Sequence, residues 1–343
     1  MTSVSQGLTA INVPDLSPAD DAFTQLRTRH ALRWVGLSGQ PANALERGIR
    51  GVRLSRYRAA AQAALRAGPG SFVISHLPLM TAAVAHLLRL RGDVPHLGFA
   101  FNFTRLPMGR RLQYLRGALR HVDQMVVFSR YEQGLYAEHF GIERERFQSV
   151  IWTQGPPPVQ AETGLNEVSP YLCAIGGEGR DFALLMQVAR RLGPAMRVVV
   201  VARPQSLAGL QVPDNVTVLT NIPLAQTWAI ARDSCGVLVP LLSRETCCGQ
   251  ITLVSAKLLG LPLATTRAHA TREYVEGRAA VLECEPGDVA GFADLARRMY
   301  EEAASLRAVA QSQKSAEQAI HDRQHWAGLV DAFIERHVLN LSR

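Results

Sequence analysis

The sequence predicts an α/β protein built from two doubly wound halves, and three observations carry that prediction. Short apolar runs alternate with helical patterns along most of the chain. One stretch rich in proline and glycine interrupts the alternation near the middle. The length, 343 residues, suits two cores better than one.

Taken in order, residues 1–25 are weakly patterned and read as either a loose tail or an edge element. ALRWVGLSG (31–39) is a strand and turn, and YRAAAQAALRAG (57–68) a helix stopped by glycine. SFVISH (71–76) is a buried strand followed by the helix LMTAAVAHLLRLRG (79–92). HLGFAFNFT (96–104) is the next strand, predicted to end at Asn102. RRLQYLRGALRHV (110–122) is a helix, QMVVFS (124–129) a strand, RYEQGLYAEHFG (130–141) a helix, and QSVIW (148–152) closes the first half.

TQGPPPVQAETGLNEVSP (153–170) then reads as a linker. The second alternation runs through strands at 171–176, 196–202, 216–220, 235–241, 262–266 and 279–284. Helices are expected at 180–193, 224–234, from about Ile251 onward, 290–306 and 322–339. Domains are therefore expected at 1–160 and 161–320, with 321–343 as a closing helix that crosses back to the first domain. Such halves place a ligand in the cleft they face, on loops at the strands' C-terminal ends.

Composition narrows the function classes. With 47% hydrophobic and 19% charged residues the chain is that of a soluble globular protein. The net charge is +8, and all basic residues except Lys257 and Lys314 are arginine. Arginine grips phosphate and carboxylate, so anionic ligands or an anionic membrane fit, and a GC-rich genome fits equally. A nucleic-acid role is not expected, because the basic residues lack interleaved aromatic platforms and aromatics make up only 6%. The five cysteines form no CxxC pair and have no histidines at zinc spacing, and no Asp-x-Asp pair stands ready for a metal. The N-terminal stretch lacks the pattern of a signal peptide, and no apolar run reaches the about 20 residues that span a bilayer. A cytoplasmic protein is expected.

GxGxxG, GxxxxGK[ST] and GxSxG are all absent. The glycine-rich turn is IGGEGRDF (175–182), where backbone N–H groups at Gly176 and Gly177 and the Arg180 guanidinium suit a diphosphate. An ordinary strand–helix turn with a solvent-facing arginine accounts for the same residues. In RETCCGQITLVSAKLLGLPLATT (244–266), Gly249 permits close backbone approach and Gln250 and Thr252 offer side-chain hydrogen bonds. The helix that follows aims its positive end at the same place. The Cys247–Cys248 pair reads as apolar filling.

In that order IGGEGRDFALLMQVARRL, VVVVARP, VPDNVTVLTNIP, ARDSCGVLVPLLSRETCCGQITLVSAKLLGLPLATT and REYVEGRAAVLECEPGDVAGFADLARRM resemble the donor domain of the GT-B glycosyltransferases, near the retaining family 4 group. The likeness covers most of residues 70 to 310, more weakly through HVDQMVVFSRYEQGLYAEHFGIERERF. It implies two Rossmann-like domains facing a central cleft and a bacterial hexosyltransferase of polysaccharide biosynthesis. It also implies a nucleotide-sugar donor, a hydroxyl acceptor (glycan, lipid-linked or small molecule), retention and no metal or other cofactor.

By position, the resemblance assigns Gly177 and Arg180 to the donor diphosphate and Arg203 to the edge of the nucleotide pocket. Thr220, Asn221 and Ile222 border the base, and Glu245, Gly249, Gln250, Ile251 and Thr252 face the donor sugar and phosphate. Three departures stand out. Aligned on Gly260 and Pro262, Ser255 takes the place of the family's second, ribose-binding glutamate, and Glu245 is displaced by two residues from the place of the first. Either the loop carries a two-residue insertion and Glu245 still serves, or that role is lost. Asn102 stands where relatives carry a sugar-contacting histidine, so it offers hydrogen bonds but no general base. His76, Thr104 and Arg105 complete the acceptor side, His76 fitting equally well as a satisfied strand-end histidine.

Residues 104–121 gather Arg105, Arg110, Arg111, Arg116 and Arg120 around Leu112, Tyr114, Leu115 and Leu119. That basic amphipathic helix suits docking at the inner face of the cell membrane, near a lipid-linked acceptor, or else one solvated face of a core helix. Two rivals to a transferase remain: a sugar-nucleotide epimerase, for which no acid/base set is found, and a non-catalytic nucleotide-sugar-binding or scaffold subunit, which Ser255 and Asn102 favour.

Overall fold

The computed structural model describes residues 7–18, 22–48, 53–160, 163 and 170–339. The chain divides into two compact units: residues up to Val150 with those from Arg323 onward, and Ile151–Asp322. Each is built on a six-stranded parallel sheet.

The first unit contains β1 (Leu8–Val13), β2 (Leu32–Gly36), α1 (Ala44–Gly48), α2 (Leu54–Arg66), β3 (Ser71–His76) and α3 (Pro78–Leu88). It continues with β4 (His96–Phe99), α4 (Gly109–Leu119), β5 (Gln124–Val127), α5 (Arg130–Phe140) and β6 (Phe147–Ser149). The sheet order is β2-β1-β3-β4-β5-β6. Continuous apolar strands fit this sheet because helices cover both faces, and Val73, Ile74, Leu97, Met125, Val126 and Val127 are all fully buried. Helix α5 shows local rules at both ends: Ser129 caps it by accepting from the Glu132 N–H (3.1 Å), and Gly141 ends it in the left-handed region.

The second unit contains β7 (Tyr171–Ile175), α6 (Phe182–Leu192), β8 (Arg197–Val201), β9 (Val216–Leu219), α7 (Leu224–Asp233), β10 (Val237–Val239) and α8 (Gln250–Leu258). It ends with β11 (Leu263–Thr266), α9 (Arg272–Val275), β12 (Val281–Cys284), α10 (Val289–Glu301) and α11 (Ala303–Ile320). Its order, β12-β11-β10-β7-β8-β9, is that of the dinucleotide-binding doubly wound sheet. The apolar faces of α6 and α10 pack together against one sheet face, with Leu185, Val188, Phe292 and Met299 in that core.

Three expectations are corrected. The weakly patterned N-terminal stretch holds β1, an inner strand paired with both β2 and β3. Its pattern is masked by the buried polar Asn12. The predicted helix 290–306 is two helices, α10 and the long α11, which carries the chain on to Ile320. β4 stops at Phe99 and not at Asn102, because Ala100 adopts φ +52°. In the linker region, 161–162 and 164–169 lie outside the described residues. The part up to Gln160 is bonded to the second unit: the Gln160 N–H donates to Ala225 O (3.2 Å), and Arg232 Nη1 donates to Gln160 O (2.9 Å).

The closing helix α12 (Gln324–Phe333) packs in the first unit. Trp326 meets Phe99 edge to face at 4.9 Å, and the buried Asp331 carboxylate accepts from the Arg29 N–H (3.0 Å). Helix α4 turns Leu115 and Leu119, with Leu112 and Tyr114, into the first unit's core. Of the apolar stripe that suggested membrane docking, Leu115 and Leu119 are thus buried and Leu112 and Tyr114 half-buried, while Arg110, Arg111, Arg116 and Arg120 are exposed. Among the described residues no helix is long and apolar enough to cross a membrane.

Candidate functional site

The second sheet changes direction between β7 and β10, and ligands of open α/β sheets bind outside the strand ends at such a point. The two loops that leave there are tied together. Leu242 N–H donates to Gly179 O (3.0 Å), Asp181 N–H to Pro240 O (3.0 Å), and Leu241 N–H to Thr266 Oγ1 (2.8 Å). This fixes the position of Arg180.

The Arg180 side chain lies over the strand ends. Nε donates to Ile175 O (3.2 Å) and Nη2 to Thr252 Oγ1 (2.8 Å). Both acceptors are neutral, and among the described residues no carboxylate pairs with this guanidinium. Burial pulls its pKa down to about 10, the neighbouring Cys248 opposing the fall, so it stays cationic at neutral pH. Arg180 is half-buried, and a guanidinium partly withdrawn from water without a counter-charge is held less favourably than one that an anion completes.

Two glycines make room for it. Gly176 has φ +142°, and a Cβ there would lie 2.8 Å from Arg180 Nε. Gly249 has φ +97°, and a Cβ there would come to 3.2 Å from Arg180 Nη1 and 2.8 Å from Leu241 Cδ2. Gly249 is also the N-cap of α8, and no side chain caps that helix, whereas Asp181 caps α6 by accepting from the Leu184 N–H (2.8 Å). The first N–H groups of α8 thus remain available beside a cation. Gly249→Ala is expected to destabilise the protein by about 1–2 kcal/mol from the left-handed backbone alone. Gly117→Ala, in α4 with open space around it, is expected to stabilise by about 0.5–1 kcal/mol. Urea unfolding of both variants checks the contrast.

The other residues line the same strand-end edge. β7, β8 and β9 are neighbours, so the loops that follow them are spaced by about 5 Å per strand. Gly177 follows β7, Arg203 follows β8, and Thr220, Asn221 and Ile222 follow β9. Arg203 is exposed and faces Glu178 at 3.8 Å, while Asn221 holds φ +55°. Thr220 and Asn221 are exposed and Ile222 is half-buried. Gln250 and Thr252 are buried at the start of α8, and Ile251 between them is exposed. Glu245 is exposed in the loop after β10, its N–H donating to Ser243 Oγ (3.1 Å).

Ser255 does not present an open hydroxyl. It is 1% exposed, and its Oγ accepts from Gln154 Nε2 at 2.5 Å. Gln154 in turn accepts from Trp152 Nε1 (2.7 Å), and its N–H donates to His321 O (3.0 Å). Two residues along α8, buried Lys257 Nζ donates to Tyr274 O (3.0 Å) and meets the Glu317 carboxylate at 2.8 Å and His321 Nε2 at 3.1 Å. One helix therefore carries the open N–H groups at its start and is anchored further along by a buried polar network. The sequence reading missed that network, whose members stand far apart in the chain.

In the first unit, His76 ends β3 and Nε2 donates to Asn12 Oδ1 (2.6 Å). Asn102 is half-buried between the core side chains Phe101 and Phe103, with Thr104 half-buried and Arg105 exposed beyond it. Asn102, Thr104 and Arg105 thus share one irregular segment after β4, apart in sequence from His76.

A cavity of about 790 Å³ lies elsewhere in the second unit, between the loop after β11 and β12, bordered by Arg244, Arg267, Arg272, Glu283 and Glu285. Glu285 answers Arg244 (3.3 Å) and Arg267 (2.8 Å), and Glu276 answers Arg272 (2.9 Å), so these three arginines each already face a carboxylate. The cysteines form no disulfide, and burial raises the thiol pKa values of Cys173 and Cys284. Cys247 and Cys248 are buried. Among the described residues no three His, Cys, Asp or Glu side chains are grouped to hold a metal.

Two parallel six-stranded sheets flanked by helices, the second in the nucleotide-binding order, define the GT-B fold. Among solved structures the chain is similar to sucrose-phosphate synthase from Thermosynechococcus elongatus, with a TM-score of 0.69 at 13% identity over 98% of this chain and 100% of that one. It is likewise similar to HepE from Anabaena in complex with UDP and glucose, with a TM-score of 0.67 at 11% identity over 97% and 99%. A glycosyltransferase from Rickettsia africae gives 0.67 at 10% identity over 96% and 98%. At these identities the shared property is the fold. No family model matches the chain, and no curated protein matches it in sequence.

Proposed function

We propose that the protein is a glycosyltransferase that moves a sugar from a nucleotide-sugar donor to a hydroxyl acceptor, with retention and without a metal ion. The observation that carries this reading is Arg180: a half-buried guanidinium that, among the described residues, bonds neutral groups only, between two glycines, at the uncapped start of α8. A diphosphate supplies the missing anion. The nucleoside then runs along the strand ends past Arg203 toward Thr220, Asn221 and Ile222. UDP is a sensible first candidate, since similar HepE is known with UDP and with UDP-glucose bound.

In the step itself, the acceptor oxygen bonds to the anomeric carbon as the bond from that carbon to the diphosphate oxygen breaks. The acceptor proton passes to the departing diphosphate oxygen on the same face, which preserves the configuration. Arg180 and the first N–H groups of α8 stabilise the charge that develops on the leaving group. Glu245 is assigned to hydroxyls of the donor sugar in the second unit, and Asn102, as a sugar-hydroxyl partner, is assigned to the first unit with His76, Thr104 and Arg105 of the acceptor side. The acceptor is a hydroxyl on a glycan, a lipid-linked sugar or a small molecule. If the acceptor is lipid-linked, docking rests on the exposed arginines of α4 and weakens with salt.

A second reading, a nucleotide-sugar-binding subunit without turnover, is favoured by Ser255, whose hydroxyl is committed to Gln154. Incubation with UDP, GDP, ADP, CMP and dTDP sugars separates the two. Slow release of nucleotide from at least one donor, with the anomeric configuration kept in the product, is the expected result. Binding without release supports the subunit, and neither binding nor release across the panel contradicts both.

A further inference from the structure

The first sheet has its own change of direction, between β1 and β3. Asn12 lies near the end of β1, fully buried, and His76 is the last residue of β3. Register pairs Asn12 with Ile74 and Val13 with Ser75, so the His76 ring stands just beyond the paired strand ends. Phe23 and Phe99 wall the ring edge-on, with centroids at 5.1 and 5.3 Å.

The hydrogen bond to Asn12 determines which nitrogen is protonated. An amide oxygen has no hydrogen to give, so Nε2 is the N–H donor across the 2.6 Å contact. A neutral imidazole has only one N–H, so Nδ1 carries a lone pair. Burial alone pulls the ring's pKa to about 3, which keeps it neutral in any physiological buffer. His76 nevertheless retains partial exposure. A fixed, neutral, partly exposed acceptor at a sheet's change of direction suits a ligand's O–H group and repels neither an anionic nor a neutral ligand.

We propose that His76 Nδ1 accepts a hydrogen bond from a hydroxyl of a polyol bound at the first unit, and that Asn12 is the positioning residue that holds the ring in its Nε2–H form. This deepens the acceptor side of the proposed transferase and rests on that reading only for the polyol being a sugar acceptor. The tautomer and the polyol site are tested without nucleotide. His76 receives the acceptor hydroxyl as a hydrogen-bond partner and does not remove its proton, which the leaving diphosphate takes.

Long-range ¹H–¹⁵N correlation on the full chain is the test. The expected spectrum shows His76 neutral and Nε2–H protonated from about pH 5 to pH 8. Asn12→Asp keeps that tautomer because a carboxylate also accepts, and Asn12→Leu releases it into a mixture. A merely structural Asn12 would leave the tautomer unchanged. Titration with methyl glucoside, methyl mannoside and glycerol is expected to shift Nδ1 saturably for at least one probe, and His76→Ala is expected to weaken that binding about tenfold. An Nδ1–H tautomer, titration of the ring within that range, or no shift with any of the three probes overturns the proposal. If no nucleotide binds the second unit but the shift with a polyol remains, the transferase reading fails and this site stands.

Discussion

Replacing Lys257 by alanine is expected to destabilise the second unit by about 3–5 kcal/mol, the cost of removing one partner from a buried ion pair. Lys257, Glu317 and His321 are 6%, 3% and 1% exposed, and they join α8 to α11. Without the ammonium group, the carboxylate keeps Arg278 and His321 but loses its contact at 2.8 Å, which places the effect at the lower end of that range. The double variant Lys257→Met, Glu317→Leu is expected to recover much of the loss, because apolar side chains of similar size pack without desolvated charge. Urea unfolding with hydrogen-exchange readout from α8 and α11 measures both.

The same cluster sets an acid limit. Burial by itself would raise the Glu317 pKa, but the His321 hydrogen bond, with Lys257 and Arg278, brings it down to about 2 from an ordinary 4.5. The folded state therefore holds the carboxylate charged where the unfolded chain would protonate it. The stability this supplies is complete above pH 4.5 and is lost as the pH falls toward 2. Lys257→Ala is expected to shrink the acid-sensitive part of the unfolding free energy in that window.

Replacing Arg180 by alanine is expected to weaken nucleoside-diphosphate binding by about 10- to 150-fold, the worth of about 1.5–3 kcal/mol for charged hydrogen bonds. Stability should fall little, since the variant removes a half-buried cation that no carboxylate among the described residues balances. That opposition between affinity and stability distinguishes a binding group from a structural one. Arg180→Lys keeps the charge but loses the planar fork that reaches Ile175 O and Thr252 Oγ1 together, so it is expected to recover only part of the affinity.

How much of this was legible in the sequence depends on separation along the chain. The strands of the second unit could be read because each is a short apolar run between turn residues, as in RVVVV of β8. Gly176, Gly177 and Arg180 could be grouped because they fall within five residues of one loop, and Gly249 stood out because it precedes a helical run that ends in Gly-Leu-Pro. β1 was missed because Asn12 breaks its pattern, and that polar group is satisfied by His76 from 64 residues away. α11 was missed because its buried positions are few: Leu306, Ala310 and Glu317. Ser255 shows the limit most clearly. Motif alignment marked it as a ligand position, but its partner Gln154 lies 101 residues earlier, and no local pattern announces that bond.

The central claim is that Arg180 and the start of α8 bind a nucleoside diphosphate. Calorimetric titration of the full chain with UDP, GDP, ADP, CMP and dTDP tests it most directly. The account predicts saturable binding at one site for at least one of these nucleotides, weakened in Arg180→Ala and in Gly249→Ala. No binding by any of the five, or binding that Arg180→Ala leaves unchanged, would contradict it.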